Sequence, residues 1–191
     1  MSELMLDKTQ LRRLETTGVS VRFQRELRCS HAGETGACWI YRGILATRPS
    51  AELRQFAVAH LQSETEHLKF FEDLQFCYRP SLLLPIWRFA GFLTGWIPAL
   101  VGKRAVFATI EAVETFVDEH YRDQINVLMP YVTREPEKEV LAGFEYCRLE
   151  EVHHRDDAKQ RSAPSKPLYL RLWMHLVRIG SQIAVKLAKA V

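Results

Sequence analysis

Residues 64–67 read Glu64-Thr65-Glu66-His67, and residues 150–154 read Glu150-Glu151-Val152-His153-His154. On a helix, positions three apart share a face, so each stretch presents a Glu-x-x-His pair able to grip one cation from one side. With 17 glutamates and 7 histidines in 191 residues, chance supplies on the order of 0.6 such pairs. Three occur, counting the overlapping Glu150/His153 and Glu151/His154. Two helices that face each other with such pairs bring two ions together, and the other two helices of a bundle then owe one glutamate each.

An internal repeat supplies those glutamates. Glu34-Thr35 is followed seven residues on by Tyr41-Arg42, and Glu114-Thr115 is followed seven residues on by Tyr121-Arg122. The order Glu, then Glu-x-x-His, therefore occurs twice, in halves of about 20–79 and 103–161. Spacing selects Glu34, Glu64, His67, Glu114, Glu150 and His153 as metal ligands. Two register choices stay open: Glu111 could stand for Glu114, and Glu151/His154 for Glu150/His153. The Tyr-Arg repeat favours Glu114, and Glu150 shares a face with Cys147 and His153. Four carboxylates balance the charge of two divalent ions, whereas four buried carboxylates alone would repel one another. A carboxylate and imidazole set without cysteine suits iron or manganese better than structural zinc.

The rest of the chain supports an all-α reading. Apolar residues recur at three- and four-residue spacing, and no pair of alternating runs flanks a turn dipeptide. Helices are expected from about Val19 to Thr47, from Pro49-Ser50 to before Arg79-Pro80, from Lys103 to Leu128, and from Thr133 to Gln160, ahead of Ser162-Ala163-Pro164-Ser165. Gly33 and Gly36 in the first of these cost about 1 kcal/mol each relative to alanine, which asks for a helix passing close by. Residues 81–102 (SLLLPIWRFAGFLTGWIPALVG) are the most apolar stretch; Pro85, Arg88, Pro98 and three glycines make it an interfacial, membrane-facing insert rather than a spanning helix. Residues 167–191 form an amphipathic C-terminal helix, with Arg171, Arg178, Lys186 and Lys189 largely on one side. A single domain is expected.

Composition narrows the function. A net charge of +3 without a basic cluster argues against nucleic acid as a partner. Cys29, Cys38, Cys77 and Cys147 form no CxxC pair, so reduced, buried thiols are expected. The start, MSELMLDKTQ, has no long apolar run and indicates no export. No GxGxxG follows a strand, so the chain offers no recognisable nicotinamide site.

Four blocks carry a specific likeness: RCSHAGETGACWIY (28–41), ETEHLKFFEDL (64–74), VETFVDEHYRDQINVLM (113–129) and EEVHHRD (150–156). They resemble the demethoxyubiquinone hydroxylase family, ferritin-like di-iron monooxygenases that add a hydroxyl group to the ubiquinone ring. The resemblance implies a ferritin-like four-helix bundle carrying two ferrous ions on the six ligands named above. It also implies dioxygen as co-substrate and NADH as ultimate electron donor. A polyprenyl quinone is the implied substrate, collected at a membrane surface on the cytoplasmic face of the cell membrane, or at the inner mitochondrial membrane in a eukaryote. A lipid-presenting helper protein or a second copy of the chain is the implied protein partner. His120 and Tyr121 are placed near substrate and electrons. Cys29-Ser30 stands where the family usually has valine and aspartate, so no role passes to that aspartate here. The rival reading on the same scaffold is an iron-handling protein, a ferroxidase or peroxide scavenger; the apolar insert, an exposed liability on a soluble cage, argues against it.

Overall fold

The computed structural model describes residues 6–163 and 165–191; Met1 to Met5, where the leader reading begins, and Pro164 of the break after the fourth bundle helix lie outside them. Among the described residues there are seven α-helices and no strand: α1 (Lys8–Thr17), α2 (Val21–Ala46), α3 (Ala51–Asp73), α4 (Leu84–Val101), α5 (Lys103–Leu128), α6 (Glu135–Arg161) and α7 (Leu168–Ala190). The chain is an all-helical bundle. Helix α1 has no counterpart in the sequence reading, although Asp7 and Gln10 form the reciprocal capping box that announces it. Ser20 and Ser50 cap α2 and α3 by accepting from Phe23 and Leu53 N–H. Helix α3 ends earlier than expected. Its chain turns at Leu74, where the Phe71 carbonyl accepts from the Leu74 N–H at 3.1 Å and from the Tyr78 hydroxyl at 2.6 Å.

Helices α2 and α3 pair, α5 and α6 pair, and the two pairs close on each other through α2 against α5 and α3 against α6. The bundle core has two apolar ends. One holds Leu27, Phe70, Phe71, Tyr121, Phe144 and Cys147; the other holds Tyr41, Ile44, Phe56, Phe107, Ile110 and Ala158. Full burial of each large side chain contributes about 1.5–3 kcal/mol. Along every bundle helix the residues between these ends are polar: Glu34 on α2, Glu64 and His67 on α3, Glu114 on α5, Glu151 and His154 on α6. A polar layer is thus clamped at mid-height between two hydrophobic plugs.

Helix α4 runs along α2, with its side against α5. Its seam is built of glycine. A Cβ on Gly95 would overlap the Ile40 carbonyl oxygen, one on Gly91 the Gly36 carbonyl, and one on Gly43 the Phe92 carbonyl. The close approach expected for the first bundle helix is therefore real, but the position on α2 that leaves no room for a Cβ is Gly43, since one on Gly36 would meet only the Trp87 carbonyl at 3.8 Å. Gly33 meets no neighbour within 4 Å and faces a cavity. Helix α4 is apolar and long enough, by length and composition alone, to cross a membrane. Trp87 is buried, and Phe89, Trp96 and Ile97 are exposed. Helix α7 packs on α5 and α2, tied down by a Trp173 Nε1–H to Thr109 Oγ1 bond of 2.8 Å and by a Lys189–Glu26 ion pair of 2.7 Å.

Candidate metal centre

At mid-bundle six side chains converge, all buried: Glu34, Glu64, His67, Glu114, Glu151 and His154. Their donor atoms form two groups, Glu34, Glu64, His67 and Glu151, and Glu64, Glu114, Glu151 and His154; within each group one donor atom per residue lies within 4.8 Å of all the others. Glu64 and Glu151 belong to both groups. His67 Nδ1 lies 3.2 Å from Glu151 Oε1 and 3.7 Å from Glu34 Oε2, and His154 Nδ1 lies 3.0 Å from Glu64 Oε1.

The structure corrects the register on α6. Glu150 and His153 point away from the centre: the Glu150 side chain is 32% exposed and the His153 side chain 74%. The reason is the line Val140, Phe144, Cys147, Glu151, His154, Ala158. Its alternating four- and three-residue steps make one buried stripe, and Glu150/His153 lie about 100° behind it. Extending the apolar stripe in both directions from the motif would have chosen the second pair. On α5 the outcome favours Glu114 over Glu111, which instead pairs with Lys166 at 2.8 Å.

Electrostatics shows how tightly the groups are coupled. Burial and the neighbouring Glu151 hold Glu64 and Glu114 above the ordinary carboxylate range. Burial also acts to raise Glu151, but the hydrogen-bonded His154 and the His67 ring 3.2 Å away pull it below that range. Burial opposes the charged form of both imidazoles, yet the surrounding carboxylates raise His67 and His154 well above the usual histidine value. Several atoms at the centre nevertheless make no hydrogen bond: Glu34 Oε2, both carboxylate oxygens of Glu64, and both ring nitrogens of His67. Each buried, unpaired polar atom costs about 1–3 kcal/mol. Unpaired carboxylate and imidazole donors pointing at one another match the ligand set of two hard-to-borderline divalent cations, with four negative charges against four positive.

The two tyrosines of the repeat cross over. The Tyr121 hydroxyl donates to Glu34 Oε1, and the Tyr41 hydroxyl donates to Glu114 Oε1 at 3.2 Å. Each tyrosine follows one glutamate in sequence and bonds the glutamate of the other half. His120 stands beside Tyr121 with its ring stacked on Phe116 and Nε2 3.4 Å from Cys29 Sγ; burial lowers its pKa to about 3. Burial pushes the Cys29 thiol up to about 12, and all four cysteines are buried and free, so they are inert packing groups.

A cavity of about 430 Å³ opens onto this layer between α2, α4, α5 and α7. Glu34, Glu114, Glu151 and Tyr121 lie at its polar end, and Trp87 and Val177 are among its apolar walls. Its volume is that of a small-molecule site.

Residues 21–188 match the family described as "Ubiquinone biosynthesis protein COQ7". The chain belongs to the COQ7 family. It is 34% identical over 169 residues to the bovine protein named NADPH-dependent 3-demethoxyubiquinone 3-hydroxylase, mitochondrial, covering 86% of this chain and 76% of that one. A Dictyostelium discoideum protein of the same name is 36% identical over 175 residues, covering 88% and 77%. The 3-demethoxyubiquinol 3-hydroxylase of Rhodospirillum rubrum is 33% identical over 170 residues, covering 87% and 77%. The COQ7 match contains α2 to α6 whole and nearly all of α7, and so includes every residue of the buried cluster.

Proposed function

We propose that this chain is a ferritin-like di-iron monooxygenase that hydroxylates the ring of a demethoxyubiquinone-type polyprenyl quinone in ubiquinone biosynthesis. The observation that carries the reading is the six-donor cluster at the polar end of an apolar cavity. The relatives' names supply the reaction, a ring hydroxylation on a ubiquinone precursor. Glu34, Glu64, His67, Glu114, Glu151 and His154 would hold the two irons, which supply dioxygen activation when bound.

The remaining work falls to the protein's own groups. The cavity walls take the quinone ring and the first isoprenoid units out of water, and the carboxylates among its lining residues mark where the ring meets the cluster. Tyr121 keeps Glu34 oriented through its hydroxyl, and His120 lines the same wall, where its ring N–H can donate to a quinone oxygen, while the Gln124 amide is held by Glu26 and Ser30. The overall change is ring C–H plus dioxygen, two electrons and two protons to ring C–OH plus water. The electrons come from a reduced nicotinamide; the relatives' names specify NADPH where the resemblance alone implied NADH.

The substrate enters from a membrane surface. Leu168, Leu172, Leu176, Ile179, Ile183 and Leu187 form an exposed stripe on α7, and Phe89, Trp96, Ile97 and Leu100 are exposed on α4. These are two of the four helices that frame the cavity. An apolar surface of that kind seats on the interfacial region of a bilayer, which makes the protein peripheral. It also disfavours the ferroxidase reading.

The test loads the protein anaerobically with ferrous iron, counts metal per chain, then adds a short-tailed demethoxyquinone, reduced nicotinamide and air. Two irons and a hydroxylated quinone are expected. Iron uptake that yields only ferric oxide or peroxide loss would move the assignment to iron handling.

A further inference from the structure

The two halves of the repeat differ in what stands behind each tyrosine. Four residues before Glu64 is His60; four residues before Glu151 is Cys147. Cys147 is fully buried in the same apolar cluster as Tyr121, whose hydroxyl donates to Glu34. Behind Tyr41 the corresponding place holds an imidazole. His60 Nδ1 lies 3.3 Å from the Tyr41 hydroxyl, and His60 Nε2 lies 3.1 Å from Asp157 Oδ2. Asp157, whose side chain is 35% exposed, is held from outside by Arg161 at 2.7 Å. A hydrogen-bonded row thus runs from the surface of α6 to a single carboxylate of the centre: Arg161, Asp157, His60, Tyr41, Glu114.

The row has a direction. An ionised carboxylate only accepts, so Asp157 assigns the hydrogen of the neutral ring to Nε2 and leaves Nδ1 an acceptor. Tyr41 has one hydroxyl proton and two acceptors for it, His60 Nδ1 and Glu114 Oε1. Whatever share His60 takes is withheld from Glu114, whose Oε1 then offers more of its charge to a cation. Glu114 belongs to only one of the two donor groups, the one completed by His154. The row therefore acts on one half of the centre.

Resting on the di-iron reading above, we propose that Asp157 and His60 are positioning residues that, through Tyr41, set the affinity of the metal position formed by Glu64, Glu114, Glu151 and His154, and leave the other position untouched.

Asp157→Asn tests this without disturbing the core, because the new amide can donate to Nε2, shift the ring hydrogen to Nδ1, and hand the Tyr41 proton wholly to Glu114. The metal-free full chain would be titrated anaerobically with Co2+, following absorbance and stoichiometry, for wild type, Asp157→Asn, Tyr41→Phe and the double variant. Wild type is expected to bind two ions, and Asp157→Asn to weaken one of them by about tenfold, the lower end of the usual effect of an outer-shell partner. In the Tyr41→Phe background the second substitution should then change nothing. Two unchanged sites in Asp157→Asn, equal weakening of both, or an effect that persists without the Tyr41 hydroxyl would each overturn the inference alone. No Co2+ bound by wild type would overturn the metal-centre reading with it.

Discussion

Substituting Glu151 or Glu150 by glutamine separates the two possible registers of α6 by a large margin. Glu151 is buried, belongs to both donor groups, and lies 3.2 Å from both His67 and His154. Replacing it with a neutral amide takes one carboxylate from each position and leaves three negative charges facing two dications. Breaking one partner out of a buried charged set costs about 3–5 kcal/mol, so at about 1.4 kcal/mol per decade binding weakens by at least about a hundredfold. The Glu150 side chain is 32% exposed, with His153 at 3.4 Å and Ser63 at 3.5 Å as its polar neighbours among the described residues. A surface change of this kind stays within about 0.5 kcal/mol, or about twofold. Anaerobic ferrous iron titration with metal analysis after desalting reads both: Glu150→Gln should retain two irons per chain and Glu151→Gln at most one. The reverse pattern would refute the placement of the α6 stripe and, with it, the centre.

Glu64, Glu114, His67 and His154 all have pKa values raised in the fold, so near neutral pH they hold protons that cations must displace. Loading at constant pH should release protons, and affinity should rise with pH; a pH-stat titration that shows no acid release contradicts the coupling. Gly95→Ala forces a methyl group into the Ile40 carbonyl and should cost about 1–3 kcal/mol, lowering the melting temperature by about 2–4 °C per kcal/mol for a chain of this size; an unchanged melting curve would show that α4 is not seated as described. Ile183→Asp with Phe89→Asp, on exposed positions of α7 and α4, should sharply reduce cosedimentation with phospholipid vesicles and leave iron stoichiometry at the wild-type value. Undiminished vesicle binding would remove the lipid-facing role from these helices.

Much of this protein is legible in one dimension. Glu-x-x-His motifs depend on the helical period alone, and the Glu…Tyr-Arg repeat exposes a two-fold arrangement before any helix is packed. Those local regularities, with the Pro and Ser punctuation between them, were enough to read an all-helical bundle, the order of its helices, and Glu34, Glu64, His67 and Glu114 as residues of one layer. Helix α1 was also within reach, since Asp7 and Gln10 carry its capping signature, but Leu11 and Leu14 are the only apolar residues among its ten, too few to stand out.

Other features belong to the packing of one helix on another. Two overlapping Glu-x-x-His pairs on α6 differ by a single residue of rotation, and only the burial of Val140, Phe144, Cys147 and Ala158 along one line turns Glu151 and His154 inward. The apolar tail reads as amphipathic, yet α7 is apolar both where it walls the cavity and where it faces outward, a property that appears only once α5 and α2 cover its inner side. The row from Asp157 through His60 and Tyr41 to Glu114 joins residues 19 to 97 positions apart. The sequence determined which groups could bind metal; tertiary packing decided which of them meet, because helix rotation about its own axis is set by neighbours that local spacing cannot name.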